Sequence, residues 1–215
     1  MFSLAMCSKS GCQKTALSSF DENGELIEGN SFCFEHHPDK ETLHSQICKY
    51  IETHDKIVGL NASGIHFDGK DFNGMDFTGK RFYGCNFQHC IFSNIHSENF
   101  RARISSFDFT IFSDCNLISS NFQFCSFAGA VFSHVLFTNS DLVHNNFCGI
   151  HAEQSSFDDS DLYNSRFIRA DMMNTSFRNC NIKKTCFYEM RQQNVSFKMS
   201  NTREALFSTE TEVEE

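Results

Sequence analysis

Three cysteines and one histidine near the N-terminus have the side chains and the spacing that bind a metal ion. A C-x4-C pair is followed, after twenty residues, by a C-x2-H pair; the four residues are Cys7, Cys12, Cys33 and His36. Two such pairs on one short segment are typical of a single tetrahedral Zn²⁺ site. Because four protein ligands leave no open coordination position, the zinc is predicted to be structural.

Two features of this segment leave the ligand set open. The sequence CFEHH places His37 beside His36, so either ring could be the fourth ligand. His44 and Cys48 lie one helical turn apart and could also bind metal, although packing against the rest of the chain is the favoured interpretation. The alternative to zinc is that the thiols are ordinary buried side chains of an irregular cap. Eleven cysteines, an odd number, without a secretion signal favour thiols or metal over disulfides.

The residues around these ligands predict a hairpin and a helix. Asn23-Gly24 in SSFDENGELIEG is a strong turn signal. The stretch PDKETLHSQICKYIETHDKIV has apolar residues roughly on one face, which predicts an amphipathic helix with Leu43, Ile47, Ile51 and Val58 inward. Ligand pair, hairpin and helix in this order resemble a small zinc-finger module of the treble-clef or ribbon kind. We therefore assign residues 1–61 to a zinc-binding cap.

Beyond the cap, the sequence repeats every five residues. From Phe67 to Phe207 there are 29 positions at this spacing, and nineteen of them are Phe. Of the other ten, five are Leu, Met or Ile, and five are small or polar. A period of five fits neither a helix nor a strand. No single repeat of this kind could bury its ring alone, but stacked neighbours would make one continuous core.

Two positions before each of these residues the side chains are small, and one position before they are often Asp or Asn. Asx residues favour turns because their side chains bond to nearby backbone groups. Five cysteines occupy the small position and are expected to be inward and inert: Cys85, Cys90, Cys115, Cys125 and Cys180. Cys148 and Cys186 flank core positions and are expected to point outward.

This pattern of a small residue, Asp or Asn, Leu or Phe and two free residues resembles the pentapeptide-repeat family over residues 62–207. The resemblance implies an all-β fold, a right-handed quadrilateral β-helix with four pentapeptides per coil. Residues 20 apart should then stack, and the sequence agrees, since every twentieth residue from Phe67 to Phe207 is Phe. Residues 208–215 form an acidic tail that we expect to be disordered.

One coil departs from the pattern. In HSENFRARIS, Ser97 and Ala102 stand at core positions, and Phe100 stands at a small position. Exchanging large for small side chains would conserve the local volume, so a repacked coil is predicted. The alternative is an irregular bulge or a binding groove.

The absence of catalytic motifs and targeting signals reduces the number of function classes that fit the sequence. We find no phosphate-binding loop, nucleophile elbow or HExxH motif, so we expect no enzymatic activity. Neither a signal peptide nor a membrane span is evident, which favours a cytoplasmic protein without membrane contact. The expected function is a non-catalytic scaffold that binds a protein partner. A secreted bacterial effector is a further option for which nothing marks export.

The pentapeptide-repeat family also implies an alternative, a DNA mimic that modulates type II topoisomerases such as gyrase, for protection or inhibition. Residues 62–207 carry 14 acidic and 13 basic side chains, and the chain's net charge of −9 comes mainly from the cap and the tail. A DNA mimic needs its charge along the rod, so this balance weakens the alternative. The same balance argues against direct nucleic-acid binding.

The repeat geometry also predicts an interaction surface. The residue before each core position points outward, and on one face three successive coils place Ile91, Ile111 and Val131 there, where the family prefers Asp or Asn. Phe109 should emerge at the neighbouring corner. Exposed apolar patches tend to mark interfaces, so these four residues are predicted to bind a protein partner or a second copy of the chain as a homodimer. The alternative is that β-branched residues merely suit a strand.

Overall fold

The computed structural model describes residues 5–27, 29, 31–67 and 69–208, and its N-terminal part contains the predicted hairpin. Strand β1 (Ser19–Phe20) pairs antiparallel with β2 (Leu26–Ile27). The Asp21 carboxylate accepts hydrogen bonds from the backbone N–H groups of Asn23 and Glu25. Gly24 has φ +87°, a value that suits glycine, and the turn signal is thereby confirmed.

A short 3₁₀ turn (Phe34–His36) precedes helix α1 (Lys40–Thr53). The Asp39 side chain caps α1 by accepting a hydrogen bond from the Thr42 N–H at 3.0 Å. The helix buries Leu43, Ile47, Tyr50 and Ile51. The placement of Val58 on this face was wrong, because α1 ends at Thr53 and the chain turns. Val58 is exposed, and its neighbour Ile57 is buried in its place.

The rest of the described chain winds into a parallel β-solenoid of about seven turns. Its strands are β3 (Leu60–Asn61), β4 (Arg81–Tyr83), β5 (Ile91–Ser93), β6 (Arg101–Arg103), β7 (Ile111–Asn116), β8 (Asn121–Gln123), β9 (Val131–Leu136), β10 (His151–Glu153), β11 (Asp171–Met173), β12 (Cys186–Phe187), β13 (Arg191–Gln193) and β14 (Leu206–Phe207). From β4 onward the paired residues lie 20 apart, as the sequence predicted. The largest sheets have the orders β13-β11-β10-β9-β7-β5 and β3-β4-β6-β8.

Stacked phenylalanine rings fill the interior. In the column that begins at Phe67, successive ring centroids lie 4.7 to 5.2 Å apart with nearly parallel planes. Rings of the opposite column meet this column edge-on, for example Phe177 against Phe167 at 88°. Each buried ring contributes about 2 kcal/mol, so the two columns dominate the stability of the solenoid.

The small inward residues also stack in columns, and their side chains form hydrogen bonds with the backbone of the adjacent coil. The Ser160 hydroxyl donates to the Phe137 carbonyl at 2.8 Å and accepts from the Ser140 N–H at 3.0 Å. The thiols of Cys115 and Cys180 donate to carbonyls in the same way, at 3.2 and 3.1 Å. A serine, cysteine or threonine in this slot therefore fits the space and can satisfy the buried backbone. Ser120 is an exception, because its buried hydroxyl has no hydrogen-bond partner among the described residues.

The irregular coil is repacked in register. Phe100 is fully buried and stacks on Phe77 at a centroid distance of 4.8 Å, where Ser97 would leave a void. Ser97 turns its hydroxyl to accept the Phe77 N–H at 2.7 Å. Because β4 and β6 stay in register through this coil, the exchange conserves the volume of the core and opens no groove.

Every corner of the solenoid has a left-handed residue. The backbone φ is positive at each position two past a core position, from Gly64 to Met199, including 21 residues other than glycine. The preceding core carbonyl accepts the N–H three residues on, as Phe107 does from Thr110, which is the pattern of a type II turn. The sequence analysis treated this position as free and missed the constraint. Among the described residues, no helix is long and apolar enough to cross a membrane.

A matched pair of phenylalanines tests whether the inward rings hold the solenoid together. Phe100→Ala removes a fully buried ring and should lower the free energy of unfolding by about 3–5 kcal/mol. Phe124→Ala removes an exposed ring and should change it by less than about 1 kcal/mol. Urea unfolding followed by circular dichroism measures both, and equal losses would contradict the assigned interior.

Candidate metal centre and interaction surface

The structure brings Cys7, Cys12, Cys33 and His36 into one cluster. Cys7 and Cys12 flank a tight loop closed by a hydrogen bond from the Cys12 N–H to the Lys9 carbonyl at 3.0 Å. Cys33 and His36 lie at the start and the end of the 3₁₀ turn, where the His36 N–H donates to the Cys33 carbonyl. The four ligand atoms all lie within 4.8 Å of one another.

Three of the six distances within the cluster are close to the edges of a zinc tetrahedron. With Zn–S of about 2.3 Å and Zn–N of about 2.0 Å, tetrahedral angles place two sulfurs about 3.8 Å apart and sulfur and nitrogen about 3.5 Å apart. The Sγ atoms of Cys12 and Cys33 are 3.9 Å apart. His36 Nδ1 lies 3.6 Å from Cys7 Sγ and 3.4 Å from Cys33 Sγ. The site could therefore hold one tetrahedral ion.

The competing histidines have other partners. His37 Nδ1 lies 2.6 Å from the Asp39 carbonyl, at the start of α1. His44 contacts the His66 carbonyl through Nε2 at 2.9 Å, while its Nδ1 is 3.9 Å from Cys48 Sγ. The pair of His44 and Cys48 thus packs α1 against the first coil, and of His36 and His37 only His36 faces the cluster.

The surroundings act differently on two cysteines of the cluster. A backbone hydrogen bond at Lys14 lowers the Cys12 pKa, but desolvation and the neighbouring side chains of Cys7 and Cys33 outweigh it, so the Cys12 pKa is raised. Desolvation opposes ionisation of Cys7, but backbone N–H groups at Cys33 and Lys9 and the His36 side chain outweigh it and lower the Cys7 pKa to about 6. Lys14 forms an ion pair with Glu35 beside the cluster. The charge of Cys33 and Cys12 contributes to raising the Lys14 pKa, although the hydrogen bond with Glu35 is the larger cause.

The predicted interaction residues form one continuous surface. Ile91 pairs in register with Ile111, and Ile111 with Val131, so the three side chains are neighbours on the largest sheet. Ile111 is 43% exposed, and Ile91 and Val131 are half-buried. Phe109, at the adjacent corner, is 57% exposed. We call these four residues the apolar column.

Phe109 is held in an unfavourable backbone conformation. Its φ is +57°, in a region where bulky side chains are uncommon. Its ring stacks on His89 at 5.3 Å and leans over Gly129, where an added Cβ would come within 2.7 Å of two ring carbons. The Phe109 backbone is therefore in a conformation that is unfavourable for a bulky residue. The exposed ring stacks on His89, and the lack of a side chain at Gly129 leaves space for it.

A second exposed apolar corner was missed by the sequence analysis. Ile104 and Phe124 also have positive φ, at 52° and 55°, and both are exposed. Phe124 stacks on His144 at 4.8 Å, and the Arg103 guanidinium lies 5.5 Å from its ring centroid. The signal was the run of glycines at this turn position from Gly64 to Gly84, against which isoleucine and phenylalanine stand out.

The five inward cysteines are all buried, as the repeat predicted. Burial raises the pKa of the Cys85, Cys125 and Cys180 thiols to about 12 and that of Cys115 to about 11. The prediction that Cys186 is open to solvent was wrong: only 9% of it is exposed. It pairs with Leu206 and Arg166 in adjacent coils, and these longer side chains flank the short thiol. Cys148 is half-buried.

Comparison with known families agrees with this geometry. The model for pentapeptide repeats, in eight copies, matches residues 58–94, 110–151 and 152–189, which is more than half of the chain. The chain belongs to the pentapeptide-repeat family. None of the curated proteins matches this pentapeptide-repeat protein.

Solved pentapeptide-repeat structures resemble the fold at low identity. A trypsin-treated variant of QnrB1, a plasmid-mediated fluoroquinolone resistance protein, is 14% identical over 72% of this chain and 91% of that chain, with a TM-score of 0.47. Rfr23 from the cyanobacterium Cyanothece 51142 is 9% identical over 79% and 99%, with a TM-score of 0.40.

Alkylation of the native protein tests the burial of the cysteines. At pH 8 the five inward thiols should react far more slowly than Cys148, because they are buried and four of them have pKa values of 11 to 12. Timed labelling followed by peptide mass mapping measures the rates, and unfolding in urea should make them converge. Labelling of any inward thiol as fast as Cys148 would contradict the register.

Proposed function

We propose that this pentapeptide-repeat protein is a non-catalytic scaffold that presents the apolar column to a protein partner. The observation that carries the proposal is the in-register exposure of Ile91, Ile111 and Val131, next to Phe109. None of these side chains fills the core. Exposed apolar surface that the fold itself does not need tends to occur at binding sites.

The chemistry beside the column indicates the kind of partner. Ser93, Ser113 and Ser133 follow the column on β5, β7 and β9. Asp71 and His151 pair with Ile91 and Val131 at its two ends. His134 lies 3.5 Å from Asp114, one residue past the serines. Lower on the same sheet, Asp171 lies 3.9 Å from His151 and 3.8 Å from Arg191. An apolar row with no Lys or Arg on β5, β7 or β9 suits a protein surface better than nucleic acid. Cytoplasmic location and the absence of enzymatic activity stay predictions.

Modulation of a type II topoisomerase by DNA mimicry is the alternative function. The near balance of acidic and basic side chains over residues 62–207 weighs against it, because DNA mimicry needs a strongly acidic rod. Supercoiling by purified gyrase, with and without the protein at equal concentration, separates the two functions. A changed supercoiling rate would favour the alternative.

Ile111→Asp should weaken partner binding without unfolding the protein. A carboxylate in the middle of the column would have to be desolvated in the complex, which should reduce affinity at least tenfold. Leu136→Asp is the control, because Leu136 is 40% exposed on a neighbouring face. A photoreactive residue placed at position 111 or at position 136 tests directly whether that position contacts the partner. A crosslinked adduct with the partner protein should form from position 111 alone. Equal crosslinking from both positions would contradict the proposal.

Two glycines provide a matched test of Phe109 and of self-association. Gly129→Ala should displace the Phe109 ring, whereas Gly149→Ala places its Cβ in open space at nearly the same φ. Only Gly129→Ala should therefore reduce the crosslink. Sedimentation of the wild type and of Ile111→Asp shows whether the adduct is a second copy, which would shift from dimer to monomer. Unfolding by Ile111→Asp would show that Ile111 belongs to the core.

A further inference from the structure

We propose that Cys7, Cys12, Cys33 and His36 bind one zinc ion, and that this ion holds the N-terminal cap on the first coil of the solenoid. The proposal is independent of the apolar column. It rests on the convergence of four ligand atoms within 4.8 Å of one another, on three distances that are close to the edges of a zinc tetrahedron, and on the way in which the cap is built.

The donor set favours zinc over other ions. Three thiol sulfurs and one imidazole nitrogen in a tetrahedral arrangement are typical of structural zinc, whereas calcium and magnesium require oxygen ligands. The Sγ atoms of Cys12 and Cys33 are 3.9 Å apart, far from the disulfide length of about 2.05 Å. Binding would displace the thiol protons, and three thiolates with Zn²⁺ leave one net negative charge beside Lys14.

The cap has little else to hold its first half together. Within residues 5–37, the described strands are only two residues long, and the remaining backbone hydrogen bonds are isolated. Folds of fewer than about 40 residues usually need a metal or a disulfide. The cluster joins the loop at Cys7 and Cys12 to the turn at Cys33 and His36, which are the two ends of this segment.

The cap also closes the N-terminal end of the solenoid. The Asn61 side chain donates to the Ala16 carbonyl at 2.8 Å, and the Ser18 N–H donates to the Asn61 carbonyl at 3.0 Å. Leu17 and helix α1 join the same apolar core as Phe67, so the cap closes the top of the phenylalanine column. Loss of the metal would loosen residues 5–37 and uncover the first coil, whereas the later coils keep their own stacking.

Metal analysis and cobalt substitution test the binding. Protein purified under reducing conditions should contain about one zinc per chain, and Co²⁺ in its place should give the absorption of tetrahedral thiolate coordination. Cys12→Ser and His36→Ala should weaken zinc binding at least tenfold, while His37→Ala and Cys48→Ser, the matched controls, should not. Less than about 0.2 zinc per chain with no uptake of Zn²⁺ or Co²⁺ would overturn the proposal. Loss of binding in His37→Ala but not in His36→Ala would overturn the ligand set.

Hydrogen exchange tests the role of the metal in the full, unmutated chain, so it does not depend on whether the variants fold. Removing zinc with a chelator should abolish protection at residues 5–37 and lower it in β3 and β4, while β9 to β11 stay protected. Re-addition of zinc should restore the protection. Unchanged protection of the cap after complete removal of zinc would show that the ion does not hold the cap in place.

Discussion

The stacking of one phenylalanine ring on the next is the interaction on which this structure depends. Parallel strands in a sheet lie about 4.8 Å apart, and stacked rings have almost the same spacing, so a ring in each coil contacts the ring above without strain. The centroid distances along the Phe67 column stay close to this value. Wherever a coil lacks the ring, another side chain must fill the same place, as Phe100 does beneath Phe77.

Winding the chain around this interior requires an unfavourable backbone conformation at the corners. A square coil with five residues per side must turn four times, and each turn places one residue at positive φ. Glycine, asparagine and aspartate tolerate that conformation best, and they occupy many of the corners. Large apolar residues that are exposed at such corners include Phe109, Phe124, Ile104 and Met199.

A column of rings also has ends, and the N-terminal end is covered by the cap. The first ring, Phe67, has no coil above it, and helix α1 with Leu17 supplies the missing apolar contacts. An uncovered end would expose both apolar surface and unpaired strand backbone, which invites association between chains. The cap and the solenoid are therefore energetically coupled.

The sequence by itself determined the solenoid, its 20-residue columns, the inward cysteines and the hairpin, because each depends on a spacing that local sterics enforce. It also placed Cys7, Cys12, Cys33 and His36 in two ligand pairs. Only the tertiary structure decided that His36 faces the cluster while His37 contacts Asp39, and that Cys186 is buried. It alone revealed the exposed corner at Phe124. These outcomes depend on neighbours from other coils or on the direction of a short turn, and residue spacing fixes neither.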